Sequence, residues 1–172
     1  MPNQLEQAAA NVMGAAKAIK GTLHGLSGVF TTLMEEHGKV SALLIRVKMS
    51  SDPEVRRELF PTIRKELLAH EKAEMTVLYP VYAQHPETAT IAREHDSESP
   101  HLEAALARLQ QLDAADPAWA HAFEQLVKVV EHHVKEEEIS WFPAGNRVFG
   151  AQAEALDAHY QRTKSALLVS LV

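Results

Sequence analysis

The sequence predicts an all-α fold, an up-down-up-down four-helix bundle with an extra helix at each end. Helix-favouring Ala, Leu and Glu are plentiful, whereas the 172 residues include only 7 Gly and 6% aromatic residues. Turn-forming residues divide the chain into a few long segments joined by short connections. Within those segments, apolar side chains recur at alternating steps of three and four residues, which is typical of helices that bury one face.

Capping residues and helix breakers give the predicted boundaries. Asp52-Pro53 and Asp116-Pro117 each place an N-cap residue before Pro at the first helical position. Further breaks are expected at residues 85–86 and 149–150. The predicted helices span roughly residues 3–20, 24–50, 54–84, 87–113, 117–148 and 151–170. We expect an N-terminal appended helix, a bundle and a C-terminal appended helix at residues 1–23, 24–149 and 150–172.

Polar residues interrupt the apolar stripe of every long helix. The stripes consist of Leu26, Phe30, Leu33, Val40, Leu44 and Val47, then Phe60, Ile63, Leu67, Leu78 and Val81, then Ile91, Leu102, Leu106 and Leu109, and finally Trp119, Phe123, Leu126, Val130 and Trp141. The interruptions on the same faces are His37, His70, Glu74, His95, His133 and Glu137. Each long helix thus contributes one inward His, and two helices add a Glu one turn later.

These six interruptions are candidate metal ligands. A single buried His is usually a hydrogen-bonded core residue, and a buried polar network is the alternative interpretation of the whole set. However, a carboxylate buried without a partner is unfavourable by several kcal/mol, and a metal ion supplies the missing positive charge. Four His and two Glu exceed the ligands of one metal with an open position, so they suit two metals bridged by the carboxylates. Imidazole and carboxylate without thiolate favour iron over manganese or zinc.

The two halves of the chain repeat this pattern. HEKAEMTVLYP occupies residues 70–80, and HVKEEEISWFP occupies residues 133–143. A Glu-His pair precedes each segment, at residues 36–37 and 94–95. The sequence therefore predicts two helical hairpins, each of which supplies half of a two-metal site.

The ordered set of His and Glu resembles the hemerythrin-like, or HHE cation-binding, family. The segments that carry the resemblance are EEHGKVSALL, LAHEKAEMTVLYP, REHDSE and EHHVKEEEISWFP, within residues 24–148. The resemblance implies two iron ions joined by an oxo, hydroxo or carboxylate bridge. It implies that each His binds one iron and that Glu74 and Glu137 bridge the pair. The N-terminal helix and the residues from 150 onward are expected outside the metal core.

Two positions differ from the oxygen-carrying members of that family. Those members have another His one turn after the third-helix ligand, where this chain has Ser99 followed by Pro100. Their last bridging carboxylate corresponds to Glu138, but the spacing of the internal repeat favours Glu137. A missing imidazole leaves a coordination position open or filled by water, which favours reactivity over reversible oxygen carriage.

Four neighbouring residues are weighed as further ligands. Glu98 lies on the third-helix stripe and is a candidate for the vacant position. Glu71 is adjacent to an inward His and could reach a metal, as in some relatives, but a position facing solvent is expected. His101 and His132 point away from the apolar stripes and are expected at the surface or behind the ligands.

The resemblance implies a protein that binds O2-derived ligands and reacts with peroxide, nitric oxide or Fe(II) in a stress or iron response. Its expected partners are small ligands: O2, peroxide, nitric oxide and azide. The alternatives are a non-catalytic O2 carrier or sensor, an iron-binding module, and a helical interaction scaffold. Enzymatic activity is thus one interpretation, and the sequence indicates no catalytic residue beyond the metal ligands.

Composition excludes several other classes of protein. The chain has no Cys, which excludes disulfides, zinc–thiolate sites and iron–sulfur clusters. The net charge is −6 and Lys and Arg are not clustered, so a nucleic-acid partner is not expected. The first residues lack the features of a secretory signal, and the apolar C-terminal tail is far shorter than the ~20 residues that span a bilayer. We expect a cytoplasmic protein without a membrane partner.

Overall fold

The computed structural model describes residues 1–171, which form helices and connecting turns without a strand. The elements are α1 (Gln4–Leu23), α2 (Val29–Lys48), α3 (Pro53–Val77), α4 (Tyr79–Ala83), α5 (Ala89–Gln110), α6 (Pro117–Glu136), a π-helical turn (Glu137–Trp141), α7 (Phe142–Phe149), a 3-10 turn (Gly150–Gln152) and α8 (Ala153–Ser170). The predicted all-α class is confirmed, and α2, α3, α5 and α6 are the long helices of the bundle. None of the described helices is both long enough and apolar enough to cross a lipid bilayer. Val172, the last residue of the predicted C-terminal unit, lies outside the described residues.

The helix starts follow their capping residues. Asp52 and Asp116 each accept a hydrogen bond from the backbone N–H two residues later, and Pro begins both helices as predicted. Helix α2 starts at Val29, later than the predicted residue 24. The reason is a turn in which Gly25 and Gly28 have φ angles of 82° and 52°, which glycine adopts most readily.

Two predicted helices are each divided where the internal repeat ends in an aromatic residue and Pro. Residues 54–84 form α3 and α4, with Pro80 in the first turn of α4. Residues 117–148 form α6, the π-helical turn and α7, with Pro143 in the first turn of α7. Proline lacks the N–H that would continue the helical hydrogen bonds. Helix α5 nevertheless continues through Pro100, so Pro alone does not divide a helix here.

Two apolar clusters fill the bundle, and the predicted His and Glu positions lie between them along each long helix. The first cluster includes Leu44, Ile63, Leu106 and Leu126, and the second includes Phe30, Leu78, Trp141 and Tyr160. The predicted stripe residues are buried, except that Val81 and Ile91 are half-buried against the second cluster. Each long helix therefore passes from one apolar cluster to the other through a polar layer.

Helices α1 and α8 pack against the bundle, α1 along α2 and α8 along α3 and α2. The backbones of α1 and α2 approach closely, because a Cβ atom on Gly38 would lie only 2.4 Å from the carbonyl oxygen of Met13. An ion pair between Arg46 and Glu6 joins the same two helices farther along. The close approach brings α1 near the polar layer.

Substituting Gly38 by Ala is therefore expected to destabilise the protein. The added methyl group overlaps backbone atoms of α1, and overpacking of this kind lowers the free energy of unfolding by about 1–3 kcal/mol. The measurement is urea denaturation of metal-free protein, followed by circular dichroism. The matched control is Gly150→Ala, where the nearest atoms to the added Cβ are 3.9 Å away. Equal unfolding free energies for the two variants would contradict the close approach of α1 and α2.

Candidate metal centre

The six sequence-predicted site residues meet in one layer of the bundle. His37, His70, His95, Glu74 and Glu137 are buried, and His133 is half-buried. The structure also brings in Glu71, of which only 1% is exposed. The potential ligand atoms form two groups, within each of which they lie within 4.8 Å of one another. Position A comprises His37, His70 and Glu137, and position B comprises Glu71, Glu74, His95 and His133.

Two carboxylates span the two positions. One oxygen of Glu137, Oε2, lies 3.2 Å from Nε2 of His37, and the other, Oε1, lies 3.4 Å from Nε2 of His133. Glu74, a member of position B, has Oε2 only 3.3 Å from Nε2 of His70 in position A. The two carboxylates predicted to bridge a pair of metals thus lie between both groups.

The expectation that Glu71 faces solvent is wrong. Its Oε1 atom lies 3.1 Å from Nε2 of His95, and its Oε2 atom lies 3.7 Å from Nε2 of His133. Successive helical residues differ by about 100°, so His70, Glu71 and Glu74 occupy one sector of α3 about 100° wide. The apolar stripe predicted a narrower buried face than α3 has around residues 70–74. The three-residue spacing from Glu71 to Glu74 is the signal that could have identified it.

Three of the four imidazoles are held by an outer carboxylate. Nδ1 of His37 lies 3.0 Å from Glu138, Nδ1 of His70 lies 2.8 Å from Glu36, and Nδ1 of His133 lies 3.1 Å from Glu98. A proton on Nδ1 that is donated to a carboxylate leaves the lone pair of Nε2 free and directed into the layer. This arrangement is typical of His that binds a metal.

His95 is held differently, by aromatic stacking. Its ring stacks on Tyr79 with 3.6 Å between the ring centroids, and its Nδ1 atom has no hydrogen-bond partner among residues 1–171. The Tyr79 hydroxyl donates a hydrogen bond to Oε1 of Glu137 at 2.6 Å. Burial, followed by the negative charge of Glu137, raises the pKa of Tyr79 well above its usual value. Tyr79 therefore stays protonated beside the carboxylate of Glu137.

Glu98 and Ser99 lie outside both positions. Glu98, the candidate for the vacant position, contacts the outer nitrogen of His133 and lies 3.5 Å from Nε2 of His132. Ser99 is buried and donates a hydrogen bond to the sulfur of Met75 at 3.4 Å. His101 and His132 are exposed, as predicted. It is Glu71 that reaches His95 and His133 from the neighbouring helix.

Residues on α1 and α8 complete the outer contacts. Lys17 of α1 forms an ion pair with Glu138. From α8, Lys164 Nζ lies 2.7 Å from Oε2 of Glu36, and the Tyr160 hydroxyl donates to the same oxygen at 2.7 Å. Burial alone would raise the pKa of Glu36, but its contacts with His70 and Lys164 lower it to about 2. Sequence reasoning missed these residues because they contact the site only through the tertiary packing of the two outer helices.

A cation fits the inward atoms of this layer. Eleven buried side-chain nitrogen or oxygen atoms in the described residues lack a hydrogen-bond partner, and nine of them belong to positions A and B. Burial and the charge of Glu137 raise the pKa of Glu74 well above its usual value. Burial opposes ionisation of Glu137 as well, but the neighbouring His133 and His37 lower its pKa. The protein alone thus stabilises only one of these two carboxylates in its charged form, whereas a bound cation would stabilise both.

A cavity of about 650 Å³ lies against the layer. Its wall contains His37, His70, Glu71 and His133 from the two positions, together with the apolar side chains of Val40, Leu67, Leu102 and Val130. Exposed His101 and His132 are among its outer residues. The cavity is thus bordered by side chains of both positions.

Comparisons with known proteins agree with this geometry. Residues 29–145 match the Hemerythrin HHE cation binding domain. The chain is 31% identical over 133 residues to a protein from Nostoc sp. (strain PCC 7120) named DNA nickase. The match covers 77% of this chain but only 38% of that protein. No solved structure matches the chain significantly.

The matched residues include α2 through α6 and both repeats, and they contain every residue of positions A and B. The family match and the two clusters of inward His and Glu therefore indicate the same kind of site. The chain belongs to the hemerythrin HHE cation-binding domain family.

Proposed function

We propose that this chain is a non-haem di-iron protein that binds O2-derived ligands and reacts with peroxide, nitric oxide or Fe(II). The observation that carries the proposal is the pair of adjacent His/Glu groups spanned by Glu74 and Glu137. Most of their inward atoms lack a hydrogen-bond partner among residues 1–171. Imidazole and carboxylate oxygen without thiolate are ligands that suit iron. Two irons bound there would supply Lewis acidity and two electrons for the reduction of a small ligand.

The proposed ligand sets are unequal. His37 and His70 would hold the iron in position A, and His95, His133 and Glu71 would hold the iron in position B. Glu74 and Glu137 would bridge them. Position A then has two protein ligands of its own and position B has three. An exchangeable ligand would therefore bind at position A, because that position has fewer protein ligands of its own; side chains of both positions line the cavity.

Protein residues around the layer would control protons and water. The protonated hydroxyl oxygen of Tyr79 lies 2.6 Å from Oε1 of Glu137, and the residue is only 3% exposed. Tyr79 would therefore be placed to donate a proton through that carboxylate. The apolar clusters on both sides keep bulk water from the other faces of the layer. These features support reactivity with small ligands, whereas a non-catalytic O2 carrier, sensor or iron-binding module is the alternative.

DNA nicking is a second candidate, because the relative from Nostoc sp. carries that name. The chain spans 38% of that protein. Its 23 Asp and Glu exceed its 17 Lys and Arg, a balance that disfavours binding to a phosphate backbone. We therefore place reaction with small ligands first.

Protein loaded with Fe(II) without oxygen and then desalted should contain about two irons per chain, as two adjacent ligand groups require. His70→Ala and His133→Ala should each remove about one iron or more, because each deletes an inward nitrogen. Iron is measured by a colorimetric chelator assay and by mass spectrometry of the native protein. His101→Ala and His132→Ala are the controls and should retain both irons. A single iron in the wild type, or equal losses from all four variants, would disprove the paired site.

Glu71→Gln should remove about one iron, because it deletes an anionic ligand at position B while keeping the shape of the side chain. Glu98→Gln is the matched control on the outer nitrogen of His133. This variant should still bind two irons, and only the affinity for iron should fall, by about 10–100-fold. Metal titrations of the two variants measure the difference. If Glu98→Gln loses iron and Glu71→Gln retains both irons, then Glu98 is the metal ligand and Glu71 is not.

Iron-loaded protein should disproportionate hydrogen peroxide to water and O2 over many turnovers; one peroxide is reduced while another is oxidised, so no further electron donor is needed. Tyr79→Phe should lower that rate at least tenfold without changing the iron content. Tyr82→Phe is the control, because its buried hydroxyl donates to the carbonyl of Trp141 at 3.0 Å and not to a site residue. The measurement is peroxide consumption in a stopped-flow instrument. Reversible binding of O2 for hours without peroxide consumption would favour a carrier. Nicking of supercoiled plasmid by the same iron-loaded protein would favour the second candidate.

A further inference from the structure

Both outer carboxylates behind position A are paired with a lysine, and each lysine comes from a helix outside the matched family domain. Lys17 of α1 pairs with Glu138, which holds His37. Lys164 of α8 lies 2.7 Å from Glu36, which holds His70. The family match covers residues 29–145, so both lysines lie outside it.

The contacts of Glu36 converge on a single oxygen. Oε2 of Glu36 lies 2.8 Å from Nδ1 of His70, 2.7 Å from the Tyr160 hydroxyl and 2.7 Å from Lys164 Nζ. Lys164 is only 8% exposed and also lies 3.0 Å from Oε2 of Glu66. Burial would lower the pKa of Lys164, but the charges of Glu36 and Glu66 raise it, so the lysine is charged. A buried cation, Lys164, therefore lies behind the carboxylate that holds His70.

Position B lacks this arrangement among the described residues. The outer carboxylate of His133 is Glu98, whose other close neighbour is His132 and not a lysine. Within residues 1–171, Nδ1 of His95 has no carboxylate partner, and Glu71 adds a negative charge inside the position. The protein charge around position A is thus more positive than the charge around position B.

We propose that Lys17 and Lys164, assisted by Tyr160, make position A the more easily reduced and anion-binding position of the pair. This inference rests on the proposed di-iron function. A lysine on the far side of a carboxylate weakens the pull of that carboxylate on the imidazole proton, so the imidazole donates less electron density to a metal. The charge of the lysine also disfavours additional positive charge nearby, and this effect is larger in a buried site. Both effects favour Fe(II) over Fe(III) and favour binding of a small anion.

The experiment compares Lys17→Met, Lys164→Met and the double variant in iron-loaded full-length protein. Met keeps the length and apolar character of the side chain but removes the charge. The matched control is Lys72→Met. Lys72 lies 3.5 Å from Glu103, and Glu103 does not contact any of the four site imidazoles in the described residues. The readouts are iron content, the reduction potentials from a spectroelectrochemical titration, and the dissociation constant of azide.

Each lysine variant should shift one of the two reduction steps to a more negative potential. The expected change in the Fe(III)/Fe(II) equilibrium is about tenfold per lysine, which equals about 59 mV for a one-electron couple. Azide should bind more weakly by a similar factor, and Lys72→Met should leave both quantities at their wild-type values. Lys17→Arg and Lys164→Arg should restore them, which a purely structural role of these side chains does not predict.

Unchanged potentials and azide affinity in variants that retain both irons would overturn the inference. Lys17→Met keeps the experiment decisive if Lys164→Met does not fold, since a quarter of the Lys17 side chain is already exposed. Tyr160→Phe provides a third variant, with a smaller shift of the same sign. The iron content of the wild type separates the two proposals: a single iron rejects the di-iron function, whereas two irons with unchanged potentials reject only the role of the lysines.

Discussion

The burial of imidazoles and carboxylates in the middle of an apolar bundle is the constraint on which this structure depends. Water is largely excluded by the two apolar clusters, so the charges in the layer must be balanced by other groups. The protein does this only in part, because Glu74 and Glu137 cannot both be ionised at low energy. A bound cation would complete the balance, and the family match to a cation-binding domain agrees with this physical requirement.

The helices around the layer have different roles in maintaining it. Helices α2, α3, α5 and α6 direct His Nε2 atoms inward, and outer carboxylates from α2, α5 and the π-helical turn hold three of the four rings. Helices α1 and α8 then pair two of those carboxylates with lysines. Behind position A the charges therefore alternate outward, and each of these two outer carboxylates has a lysine within contact distance.

The fold class and the six inward residues could be predicted because they depend on helical periodicity alone. A His or Glu in an apolar stripe faces the core wherever the partner helices lie, and Asp-Pro pairs mark helix starts locally. Glu71 could not be placed by the same argument, because the width of the buried face depends on which helices pack beside α3. The contacts of Tyr160 and Lys164 depend on where α8 docks, which no local pattern determines. The sequence also does not predict the division of two helices at their aromatic-Pro pairs. Proline alone is not a sufficient signal, because α5 continues through Pro100 without a break.

The polar layer also determines how the helices are aligned along the bundle axis. Apolar helices that pack on one another can slide by one turn, about 5.4 Å, with little change in buried area. Such a slide would here move His37 or Glu74 into an apolar cluster and leave Leu or Val against the carboxylates. A polar position inside an apolar interface is known to set helix register in this way. The same side chains that can hold a cation thus select one alignment of four helices among several that would bury similar apolar surface.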